Sequence, residues 1–154
     1  MKTGFYGFLS IQYLHTHGFS SISNKNGVYM VCIPQVFSKK ILGSTTAIEA
    51  YKEQSLLYTV EELERKWVEE SDILYIGKAG SKSNHLQQRI RQFVRYAYSE
   101  GNNHRGGRAL WQLENCHSLL IGYKEVLDAR EAERSLICEF QTKFGKRPFA
   151  NFRT

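Results

Sequence analysis

Glu133 is a carboxylate in a place that ordinary structure does not explain. The run from Asp128 to Phe140 has helical periodicity, and at about 100° per residue Ala129, Ala132, Leu136, Ile137 and Phe140 share one arc with Glu133 inside it. Arg130, Arg134 and Cys138 fall outside that arc, and Glu131 lies well away from it. A charge on an apolar face must be paired, hydrogen-bonded or bound to a metal, because burying it alone costs several kcal/mol or forces it to protonate. Five other residues sit oddly for pure structure: Tyr29 and Tyr75 on strand-like runs, Lys78 just after one, Arg89 at the edge of a helical stripe, and Asn151 near the end. Each also has an ordinary reading: core tyrosines for Tyr29 and Tyr75, a solvated side chain for Lys78, a surface ion-pair partner for Arg89 and a turn residue for Asn151.

The elements that must position these residues are readable from the pattern. Gly27–Ile33, Asp72–Gly77 and Ser118–Tyr123 are short apolar runs rich in β-formers and bounded by turn residues, so three strands are expected to form one small sheet. The stretch of about 34–70 is too long for a hairpin loop and reads as an insertion with its own helix, since Thr59 and Glu62 have capping-box spacing ahead of Leu63 and Trp67. Asn84 and Gln87 suit the start of a helix whose stripe is Leu86, Ile90, Phe93, Val94 and Ala97, with Arg91 and Arg95 pointing outward. In the last helix Asp128 is the expected N-cap and Glu131 its reciprocal partner, which leaves Glu133 without a structural task. Residues 1–24 read as an extension packed on a domain spanning 25–154.

The chain has 154 residues, 42% of them hydrophobic, enough for one core and one domain. Its 21 Lys and Arg against 15 Asp and Glu give a formal charge of +6, which favours a polyanionic partner. The charge is segregated. Seven bases stand against Glu100 between Lys78 and Arg108, whereas eight acids and three bases lie between Glu49 and Asp72. A basic middle suits a protein with one nucleic-acid-facing side. Within it His104, Arg105 and Arg108 occupy a glycine-rich loop and are candidate phosphate contacts, with a plain solvated loop as the alternative, while Arg91 and Arg95 suit sequence-independent backbone contact. Cys32, Cys116 and Cys138 form no C-x-x-C pair and are odd in number, which fits a reducing cytoplasm better than a disulfide framework or zinc cage. No apolar run reaches a membrane span.

Taken in order, these residues resemble the GIY-YIG nuclease family. Gly27-Val28-Tyr29 stands where the family has Gly-Ile-Tyr, and Tyr75-Ile76-Gly77 matches its Tyr-Ile-Gly literally. Leu86-x-x-Arg89-Ile90 is similar to the family's arginine helix, Glu133-x-x-Leu136-Ile137 to its glutamate helix, and Pro148-x-x-Asn151 to its terminal asparagine motif. The resemblance covers Gly27 to Asn151 and departs in the long gap between the two tyrosine strands. It implies an α/β (α+β) domain, with a small three-stranded, mainly antiparallel sheet flanked by helices.

The resemblance further implies an endonuclease that hydrolyses phosphodiester bonds in DNA with Mg2+ (or Mn2+). Glu133 would be the metal ligand, because a hard carboxylate oxygen with waters and phosphate oxygen suits such an ion. Arg89 would hold the scissile phosphate, and Tyr29 would activate or orient the water. A phenol is a poor base near neutrality unless a cation assists, and Lys78 is the expected cation. Tyr75 would help position water or phosphate, and Asn151 would orient Glu133 or a neighbour. The competing classes are an inactive nucleic-acid-binding module of the same fold and a structural protein with a basic face; oligomeric state stays open between monomer and homodimer.

Overall fold

A computed structural model of the protein describes residues 1–51, 54–80, 84–101 and 106–152. In chain order its elements are β1 (Tyr6–Ser10), α1 (Ile11–His17), β2 (Gly27–Cys32), the two-residue strands β3 (Ala50–Tyr51) and β4 (Gln54–Ser55), α2 (Val60–Lys66), β5 (Ile73–Ala79), α3 (Leu86–Ala97), 3-10 turns at Arg108–Gln112 and Cys116–Ser118, β6 (Leu120–Glu125) and α4 (Ala129–Phe144). The main sheet has the order β1-β6-β2-β5, and every neighbouring pair is antiparallel. β2, the most apolar run, is the strand buried along its whole length, because it has a neighbour on each edge and packed side chains on each face.

The sheet thus has four strands, where three were expected. The fourth is β1, from the first twenty-four residues, which pairs with β6 from Tyr6↔Tyr123 to Ser10↔Leu120. Alternation is broken there by a bulge between Gly7 and Leu9, with φ at 93° for Gly7 and 49° for Phe8. The strand then turns directly into α1, whose N-cap Ser10 accepts a hydrogen bond from the Tyr13 amide at 3.0 Å. A bulged, half-exposed edge strand leaves no clean period of two in the sequence.

Because successive strand residues face opposite sides, the sheet separates two cores. Tyr29, Val31 and Tyr75 pack with Ile90, Phe93 and Val94 of α3 and with Trp111, whereas Met30, Cys32, Ile73 and Ile76 pack with Ile137 and Phe140 of α4. α4 begins at its expected cap, Asp128, whose Oδ1 accepts from the Glu131 amide at 3.0 Å, and it stops at Gly145 in a left-handed conformation. α3 begins one residue later than expected: His85 is its N-cap, and the Gln87 side chain instead donates to the carbonyls of Phe19 and Ile22.

The segment between β2 and β5 carries β3, β4 and α2, with Thr59 capping α2 through a 3.1 Å bond from the Glu62 amide. Gln112, buried to 1% exposure, fastens it to the rest of the fold: its side chain accepts from the Tyr58 amide and donates to the carbonyls of Tyr58 and Leu42. At the free edge of β5 the C-terminal tail takes the place of a strand. Asn151 accepts from the Ile76 amide at 2.9 Å and donates to its carbonyl at 2.8 Å, and the Ala150 amide donates to Leu74. That seal covers backbone groups that would otherwise be open to another strand. No helix among the described residues is long and apolar enough to cross a membrane.

Candidate active site

The edge strand β5 is where the two faces of the sheet meet. Tyr75 on β5 and Tyr29 on β2 point to the α3 side; Lys78 near the end of β5 reaches the α4 side. Tyr29, Tyr75, Lys78, Arg89 and Glu133 all line one cleft of about 760 Å³, which Asn84 also enters. A second hollow of about 550 Å³ shares Tyr75, Lys78 and Glu133 and is closed by Tyr58, Arg108 and Asn151. The two are halves of one groove with Glu133 at the junction.

Gly77 explains how Tyr29 reaches the cleft. The two are cross-strand partners, and a Cβ at position 77 would lie 2.5 Å from Tyr29 Cζ and 2.7 Å from its hydroxyl oxygen. The Tyr29 ring therefore rests on bare backbone. Phe93 fixes it edge-on at 5.5 Å between centroids and stacks on Tyr75 at 5.6 Å. Tyr29 is fully buried, and its hydroxyl has no hydrogen-bond partner of good geometry among the described residues, although the Tyr75 phenol is near enough to affect its ionisation. An orphaned buried hydroxyl costs about 1–3 kcal/mol, an outlay typical of functional sites.

Burial, then the neighbouring Tyr75, push the Tyr29 phenol well above its ordinary range, with Arg89 opposing. Burial and then Glu133 push Tyr75 up to about 12, again against Arg89. The cation acting on these phenols is Arg89. Lys78, expected in that role, instead has Nζ 3.2 Å from Glu133 Oε1. Both tyrosines are thus neutral at physiological pH in the resting groove, where each can donate or accept a hydrogen bond. The folded phenols ionise above the range of a free tyrosine, about 10, so their contribution to stability is intact below that pH. It is lost as the pH rises through the folded values, about 12 for Tyr75, because the unfolded chain sheds these protons first. Absorbance titration at alkaline pH should show at least two of the nine tyrosines ionising only as the protein unfolds; ionisation of all nine in the folded state near pH 10 would contradict this.

Glu133 retains 22% side-chain exposure, and its partner Lys78 46%, so the pair is accessible from the groove. Arg89 is half-buried and makes only a long 3.5 Å contact to Gln92, with no carboxylate partner among the described residues. A half-buried guanidinium with unused donors is chemically suited to an oxyanion. Arg108 has one nitrogen on the Tyr58 hydroxyl at 2.9 Å and lies over the Tyr58 ring. Asn151 lines the groove, but its amide is occupied by the backbone of Ile76, the residue after Tyr75, and so fixes the strand and not Glu133.

No family model, curated protein or solved structure matches the chain. The chemistry must be taken from the residues themselves. Among the described residues no group of three or more His, Cys, Asp or Glu could hold a metal ion. One carboxylate fits a hard divalent ion that keeps several waters and shares a phosphate oxygen, which is how Mg2+ is commonly held. Asp128 also borders the cleft but is engaged as the α4 cap.

Of the other candidates, Arg91 and Arg95 are exposed on α3 and line neither half of the groove. His104 and Arg105 lie outside the described residues. Tyr58 and Gln112 were not singled out by sequence. Gln112 looks like the polar side of a short amphipathic segment, and nothing local shows that a 3-10 turn buries it.

Proposed function

We propose that the protein is a divalent-metal-dependent endonuclease of the GIY-YIG type that hydrolyses phosphodiester bonds in DNA, in the cytoplasm. The observation carrying this reading is the convergence, from two strands and two helices, of Tyr29, Tyr75, Lys78, Arg89 and Glu133 on one cleft. Water adds to phosphorus, one P–O ester bond breaks, and the products are a phosphomonoester end and a hydroxyl end. Arg89 binds the non-bridging oxygens of the scissile phosphate and offsets charge as it builds. The neutral phenols of Tyr29 and Tyr75 orient the attacking water by hydrogen bonds, which gives the orphaned Tyr29 hydroxyl its partner.

Glu133 would hold Mg2+ or Mn2+, which when bound supplies Lewis-acid charge to the phosphate. Lys78 neutralises Glu133 in the resting groove and, being half-exposed, can move to the phosphate as the ion arrives. Arg108, held by Tyr58, meets a phosphate further along the strand.

Nicking of supercoiled plasmid tests this. The wild type should nick with magnesium and not with chelator, and Arg89→Met should reduce the rate by about two to three decades, the effect of removing one preorganised oxyanion donor. DNA binding without metal-dependent cleavage would leave the inactive binding module as the reading.

A further inference from the structure

The groove does not stop at Asn151. Arg147, Asn151 and Phe152 line both its far half and a further hollow of about 440 Å³, whose walls include Arg65, Lys66 and Lys146. From Arg89 past Glu133 and Arg108 to Lys66, basic groups therefore border one continuous path.

The sequence between Glu49 and Asp72 is acidic overall, yet its charges are sorted in space. Glu64 and Glu69 face Lys39, at 2.9 and 3.9 Å, and Asp72 pairs with Lys2. Two of its three bases, Arg65 and Lys66, face the groove, and neither has a carboxylate partner among the described residues. Glu62 is the acid on that wall. The row is also held firmly: Lys146 donates to the carbonyls of Arg65 and Trp67 at 3.1 and 2.8 Å, joining the end of α2 to the end of α4.

We propose that the segment between β2 and β5 builds a second phosphate-binding track, beyond Glu133 from Arg89, that grips the DNA strand flanking the cleaved bond. Naming that strand rests on the nuclease reading. The track contacts backbone and not bases, because its aromatic surface is already used: the Phe152 ring carries Tyr58 at 4.2 Å between centroids and Lys66 Nζ at 4.5 Å. Binding through it is independent of sequence and dependent on salt.

The test measures fluorescence anisotropy of a labelled DNA duplex across a salt series in chelator, so that cleavage does not intervene. Arg65→Gln/Lys66→Gln should lower the slope of log K against log salt by about 1.8, two contacts at about 0.9 each, and weaken binding about tenfold or more at physiological salt. Lys40→Gln/Lys143→Gln removes the same charge outside the groove and should leave the slope unchanged; matching thermal melts verify folding. An unaltered slope in the groove pair, an equal loss in the control pair, or no salt-dependent binding by the wild type overturns the track. Wild-type binding with the expected groove-pair loss but no metal-dependent nicking would instead overturn the nuclease reading and leave the track standing.

Discussion

Glu133→Gln should abolish metal-dependent cleavage, with a rate loss of about three decades or more, while the protein keeps its fold and still binds DNA. The size follows from the proposed role: Lewis-acid stabilisation of the phosphoryl oxygens by an ion held on Glu133 would contribute several kcal/mol, and each 1.4 kcal/mol is about tenfold in rate. The stability change is small because the Lys78 pair is half-open to solvent, with side chains 46% and 22% exposed, and such pairs contribute about 0–1 kcal/mol. Glutamine preserves shape and hydrogen-bonding capacity but cannot offer two anionic oxygens. The neighbouring Glu131→Gln is the control, since Glu131 is exposed and paired with Arg134 at 3.2 Å on the same helix. Quantitative nicking at several magnesium concentrations decides the matter. If Glu133→Gln cuts at the wild-type rate, the carboxylate is a structural partner of Lys78, and the proposed chemistry fails.

The local part of this architecture was legible in the sequence, and the non-local part was not. β2, β5 and β6 announced themselves because each is a continuous apolar run between turn residues, and α4 because Asp128, Gly145 and the arc through Phe140 mark its start, end and buried face. Glu133 was visible for the same reason: one carboxylate interrupted a regular stripe. β1 was hidden by its bulge, and the start of α3 by Asn84, which has the right side chain for a cap but lies one residue before the cap position. The pairing of Lys78 with Glu133 depends on which face of the sheet each element packs against, and residue spacing does not encode that. The same limit hid the sorting of charge on α2, where an acidic average conceals two bases turned toward the groove.

Gly77→Ala should be as damaging to the site as any change to a polar residue, although it adds one methyl group and removes nothing. The new Cβ would stand 2.5 Å from Tyr29 Cζ, well inside contact distance. Tyr29 cannot swing clear, because it is fully buried with Phe93 edge-on against it and Tyr75 beside it. Either the β2–β5 ladder must slide locally or the ring must be forced off its rotamer, and overpacking of this kind costs about 1–3 kcal/mol. The same displacement moves the Tyr29 hydroxyl by a substantial fraction of an ångström. Misplacement by about 1 Å of a group that orients the reacting water can cost about a hundredfold in rate. A double-mutant cycle isolates the cause: in a Tyr29→Ala background, Gly77→Ala should cost almost nothing further, so chemical denaturation should yield a coupling energy close to the full penalty. An undiminished penalty in that background would mean that Gly77 is required for strand geometry alone and not for seating Tyr29 over the groove.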